Sequence, residues 1–186
     1  MEVFINFKDL FLSVWQKGIL GINFFEILVG IGIFLIFLIF RGLISKLIIK
    51  KLEIISKRTT NKLDDTFVHS LIGPVRFLPI VLGFFFASYY LTFESDTREF
   101  VNNINRTLIT ILIFWTIHQI IEPISYVLSG LGKILTRELI SWIVKSIKIL
   151  IFILGSAAVL ELWGIKIGPI IAGLGLFGVA VALGAQ

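Results

Sequence analysis

Chemistry that needs a nucleophile, a metal or a proton relay has few residues to draw on here, because 186 residues hold two histidines, His69 and His118, and no cysteine. His118 and Glu122 stand four apart, so a helix would carry both on one face. This is the one pair placed for acid–base chemistry inside an apolar segment. The spacing serves equally to tie helices together or to reach an interface, since polar groups in such segments find partners. Arg76 and Lys145, counted at a similar depth in neighbouring segments, are the cations expected to neutralise Glu122. Asp64 and Asp65 could face a cation, but two adjacent carboxylates without further ligands are a weak site, and capping of a helix ahead of Phe67 is the stronger expectation. No catalytic residue, metal or cofactor is expected, and the chain does not read as an enzyme.

The elements that carry these residues are dictated by composition. Hydrophobic residues make up 57% and charged residues 16% of the chain, against roughly 45–50% and ~25% in soluble domains. Runs such as Ile22–Phe40, with Glu26 its only formal charge, meet the length needed to cross a hydrocarbon core. They are apolar all round, which excludes the short alternating segments of a barrel. The expectation is an all-α integral membrane protein with five spans: Ile22–Phe40, Leu71–Leu91, Arg106–Leu128, Leu139–Leu162 and Pro169–Gln186. In domain terms, residues 1–21 form an N-terminal amphipathic segment and 22–70 the first helix with a basic linker. Residues 71–138 hold the second and third helices, and 139–186 a terminal core of two.

Charge sets the orientation. Residues 41–70 hold Arg41, Lys46, Lys50, Lys51, Lys57, Arg58 and Lys62, whereas 92–105 hold Arg98 against Glu94, Asp96 and Glu99. The basic connection is expected on the cytoplasmic side, leaving the N-terminus outside and the C-terminus inside a cell inner (plasma) membrane. Within it, Ile44, Ile48, Leu52 and Ile55 recur at helical spacing opposite Lys46 and Lys50. Such a stripe suits a helix on the inner leaflet or a plain extension of the first span. The net charge of +5 points to anionic lipid headgroups rather than nucleic acid.

The final segment is the most informative. Gly175, Gly178, Ala182 and Ala185 fall on one side of a helix, and Gly173, Ala180 and Gly184 on another. Small faces let helices approach closely, and two of them allow a neighbour on each side, as in a ring; one tightly packed helix in a single bundle would use them too.

This segment resembles the pore-lining helix of the small-conductance mechanosensitive channel family. The lead-in Gly164-Ile165-Lys166, then Ala172-Gly173-Leu174-Gly175 and Val179-Ala180-Val181-Ala182-Leu183-Gly184-Ala185-Gln186, carry the resemblance, and Leu63-Asp64-Asp65 after a basic helix is similar to the five-span members. The resemblance implies a homoheptamer whose last helix lines a pore opened by membrane tension, releasing ions and small solutes on hypo-osmotic shock. It implies that the earlier spans form the tension-sensing paddle. Family members continue into a soluble cytoplasmic chamber, so a sequence ending at Gln186 reads as part of a longer protein. It also aligns Lys148 with a basic position before the pore helix. With Lys145 and Arg137, Lys148 makes a strip expected to contact lipid phosphate. Val179 and Leu183, four apart between the small flanks, match the apolar constriction. A secondary transporter or a membrane-anchoring oligomerisation subunit are the rival readings. The transporter would need broken helices and internal repeats, and no repeat is found; the anchor would need no small residues on two faces.

Overall fold

The structure, a computed structural model, describes residues 23–56, 62–93, 95–129 and 136–186, and the expected amphipathic segment at 1–21 lies outside them. The described residues form helices and no strands: α1 (Phe24–Ser56), α2 (Lys62–Tyr90), α3 (Ser95–Ser129), α4 (Arg137–Leu162) and α5 (Gly168–Ala185). Four are long and apolar enough to cross a membrane, over Phe24–Ile54, Thr66–Tyr90, Ser95–Pro123 and Glu138–Leu162, and the fifth is a shorter apolar helix.

Three boundaries differ from expectation for one reason. Helix α1 runs on to Ser56, and α3 begins at Ser95, eleven residues before Arg106. Charged and amide side chains end an apolar run without ending a helix, and Lys, Glu and Arg are good helix formers. Each helix therefore reaches roughly 50 Å at 1.5 Å per residue, well beyond a ~30 Å hydrocarbon core. The stripe Ile44, Ile48 and Leu52 is half-buried on this extension, while Leu43, Lys46 and Leu47 are exposed. It continues the first helix and packs rather than lying free on a leaflet. Helix α2 likewise starts at Lys62, which places Asp64 and Asp65 inside it rather than capping at Phe67; carboxylates there are favoured by the helix dipole.

The helices pack in chain order: α1 on α2, α2 on α3, α3 on α4. Glycines set the closest approaches. A Cβ on Gly83 would stand 2.6 Å from that of Phe37, and one on Gly155 would stand 2.9 Å from Phe114. Gly73 sits under Trp115 and Gly30 under Leu91 in the same way. Successive contacts between α1 and α2, from Thr92 with Glu26 through Gly83 with Phe37 to Val75 with Ser45, define an antiparallel hairpin.

Prolines inside α2 and α3 remove helical hydrogen bonds. Pro79, fully buried, takes the donor that would have served the Val75 carbonyl, and Ser45 Oγ reaches that carbonyl at 3.4 Å from α1. That hydroxyl's single proton goes to the Arg41 carbonyl of its own helix at 2.6 Å, so the Val75 carbonyl gains a polar neighbour rather than a replacement bond. Few of the described residues are buried: Val81, Ala87, Ile121, Ile140 and Ile167 are the buried apolar ones among them besides proline and glycine, whereas Phe25, Ile39, Trp142 and Phe152 are two-thirds or more exposed. Apolar surface on this scale fits a lipid solvent.

Candidate functional site

Helix α5 differs from every other. It packs substantially against none of α1–α4. Its glycines Gly173, Gly175, Gly178 and Gly184 have no atom within 4 Å of where a Cβ would stand. Leu176, Phe177, Val179, Val181 and Leu183 are all more than half exposed. The helix is continuous from Gly168 to Ala185, with Pro169 in its first turn where a missing N–H costs nothing. At 3.6 residues per turn, Gly175, Gly178 and Ala182 share one side, Gly173, Ala180 and Gly184 another, and Val179 with Leu183 lie between them. All are exposed; nothing is described of the Ala185 side chain beyond its place in the helix.

The turn into α5 is tightly made. Trp163 ends α4, its N–H donating to the Leu160 carbonyl at 3.1 Å, and Ile165 N–H donates to the same carbonyl at 3.1 Å. Gly164 between them takes φ of +81°, a left-handed conformation in which a side chain would be strained.

The polar residues of the remaining helices sort differently from expectation. Glu122 is paired, but with Lys148: Nζ lies 2.7 Å from Oε2. Lys145 and Arg76 are exposed instead. Glu122 and Lys148 join α3 to α4 beside Pro123, which makes the helix-joining use of the His118/Glu122 face the one realised. Lys148, expected to meet lipid phosphate, has a protein carboxylate as its first partner. Its side chain keeps 23% of its surface exposed. The Arg137 side chain is outside what is described. His118 borders an open groove of about 650 Å³ between α3 and α4, with Phe114, Phe152 and Gly155 among its walls. Among the described residues no three metal-ligating side chains come together.

Two polar contacts were missed by sequence reasoning. Trp163 Nε1 donates to Thr107 Oγ1 at 3.1 Å. Asn105, buried on the same helix, donates through Nδ2 to Ser88 Oγ at 2.7 Å. Neither pair carries a formal charge, and their separations in sequence leave no local signal to find them by.

A family profile described as mechanosensitive ion channel, transmembrane helices 2/3, matches residues 145–186, which contain most of α4 and all of α5. An MscS family protein of Aquifex aeolicus (strain VF5) is 27% identical over 192 aligned positions covering 100% of this chain and 51% of its own. The chain resembles the MscS family. The MscS family protein YhdY of Bacillus subtilis (strain 168) is 24% identical over 88% of this chain and 45% of its own. The large-conductance mechanosensitive channel MscMJLR of Methanocaldococcus jannaschii is 23% identical over 82% of this chain and 44% of its own. The MscS-like chain spans about half the length of these curated relatives. No solved structure matches it. The family is one of channels, not an enzyme class.

Proposed function

We propose that this chain is a subunit of a homo-oligomeric, tension-gated channel that releases ions and small solutes on hypo-osmotic shock, with α5 as its pore-lining fifth span. The observation that carries this reading is that α5 packs substantially on no other helix among the described residues yet presents small residues on two sides. Packing through both sides needs further copies of α5, and repeating that contact around an axis makes a ring. A heptamer is the number that the family resemblance supplies.

In such a ring Val179 and Leu183 face the axis as two apolar collars. Water leaves a narrow apolar passage, and ions do not follow without it. Tension favours the state of larger in-plane area, which separates the helices and wets the collars. No formal charge lies between Pro169 and Gln186, so this stretch of pore selects weakly between cations and anions. The basic residues Lys46, Lys50 and Lys51 of α1 support a reading in which that end of the bundle faces the cytoplasm of a cell inner membrane, with the N-terminus outside and the C-terminus inside. Lys145, exposed, and Lys148, when it leaves Glu122, meet lipid phosphate there, with Arg137, two to three turns earlier on the same helix, completing the strip.

Patch-clamp recording of the full-length protein in giant liposomes tests this. Conductance that appears with suction and reverses close to zero in a salt gradient is expected. Patches that stay silent up to lytic tension would refute the channel reading.

A further inference from the structure

We propose that the hydrogen bond from Trp163 on Thr107 is the tie through which α3 passes membrane force to the turn that carries α5. The inference rests on the tension-gated reading and names the residues that couple its two parts.

Because α5 packs substantially on none of α1–α4, force from those helices reaches it within one subunit chiefly through residues 163–167. That segment is stiff. Three carbonyl bonds at 3.0 to 3.1 Å close the end of α4 over Gly164, and Ile167, just before α5, is buried. Displacement at Trp163 is therefore handed on rather than absorbed.

Helix α3 holds the turn at Trp163 in two ways. The indole N–H meets Thr107 Oγ1 at 3.1 Å, and the indole ring stands edge-on to Phe100 with centroids 5.5 Å apart. The Thr107 hydroxyl donates in turn to the Asn103 carbonyl at 2.7 Å, so it is satisfied both as donor and as acceptor. Further along α3, Phe114 packs on Gly155 and Glu122 pairs with Lys148. Helix α4 is thus fastened at three levels, and only the Thr107 level touches the turn itself. Helix α3 also packs on α2, so movement of the α1–α2 hairpin arrives at Thr107 through it.

A tryptophan at a helix end also suits a plain membrane anchor, with its ring at the headgroup level. The two roles separate cleanly, because an anchor has no use for the Thr107 hydroxyl.

The test is a double-mutant cycle on the full-length protein in giant liposomes, with Trp163→Phe, which keeps a ring and loses the donor, and Thr107→Val, which keeps the shape and loses the acceptor. Assembly is checked by sizing in detergent. Each single variant should lower open probability at fixed tension by about fivefold, the equivalent of the ~1 kcal/mol net worth of one hydrogen bond. The double variant should fall no further than either single one, and Thr107→Ser should keep the parental threshold. Additive shifts, or a threshold moved by Trp163→Phe and untouched by Thr107→Val, overturn the tie while leaving the channel intact. A parental protein that never conducts overturns the channel reading, and this coupling falls with it.

Discussion

The glycines of α1–α4 and those of α5 look alike in the sequence and occupy opposite surroundings. Gly30, Gly73, Gly83 and Gly155 each lie under a neighbouring side chain at 3.2 Å or less from where a Cβ would be. Gly173, Gly175, Gly178 and Gly184 meet nothing. In the first group the missing side chain is already used, to bring two helices of one chain together. In the second it is unused within the described residues and, in the proposed ring, is taken up by a neighbouring copy. Small residues by themselves announce close approach and not its partner. Gly32 and Gly42, also open, sit on the exposed outer side of α1 among large apolar residues.

Bulking an open glycine should break this contrast most forcefully. Gly178→Leu is expected to abolish assembly, read by sizing of the detergent-solubilised full-length protein, while the thermal melting of the α1–α4 unit stays put. A variant that assembles normally would show that the α5 flanks are not interfaces. The pore face should respond in another way. Val179→Ser and Leu183→Ser leave the flanks alone and lower the dewetting barrier, so both should assemble, open at lower tension and slow growth at ordinary osmolarity. Parental thresholds in both would point to Phe177 and Val181 as the residues facing the axis.

The packed glycines should show the converse. Gly83→Ala drives a methyl into Phe37 at 2.6 Å, and overpacking of this kind costs about 1–3 kcal/mol. A clear fall in melting temperature is expected without a change in oligomer size once the protein is folded. The smallest effect concerns the charged pair. Lys148→Met should lower stability by about 1 kcal/mol, as for other interhelical polar pairs in membranes, and Glu122→Gln added to it should restore most of the loss. Lys145→Met, on an exposed residue, should change melting little. Equal effects at the two lysines would mean that the pair with Glu122 contributes nothing particular.

Hydropathy made the helices legible because a membrane imposes one crude rule on every residue of a span. The ends were not legible by the same rule, since Lys46, Lys50 and Lys51 stop the apolar run of α1 but prolong its helix to Ser56. The choice of partner for Glu122 went astray for a related reason. Counting depth from assumed span ends favoured Lys145, whereas the antiparallel register that puts Phe114 on Gly155 brings Lys148 opposite Glu122. The bounds of the last helix were legible, Gly168–Ala185 against an expected Pro169–Gln186, because Gly168-Pro169 marks its start. The contact between Thr107 and Trp163 had no such pattern behind it, joining two ordinary residues 56 positions apart.

The isolation of α5 within its own chain has a consequence for how the protein comes together. The contacts that join α1 to α4 lie within one chain, so that unit needs no second copy to form. In the proposed ring, burial of α5 depends on meeting another chain and obeys mass action. Lowering the density of chains in a bilayer should therefore uncover α5 while leaving the other four helices in place, and the protein then has two stabilities, only one of which depends on how much of it the cell makes.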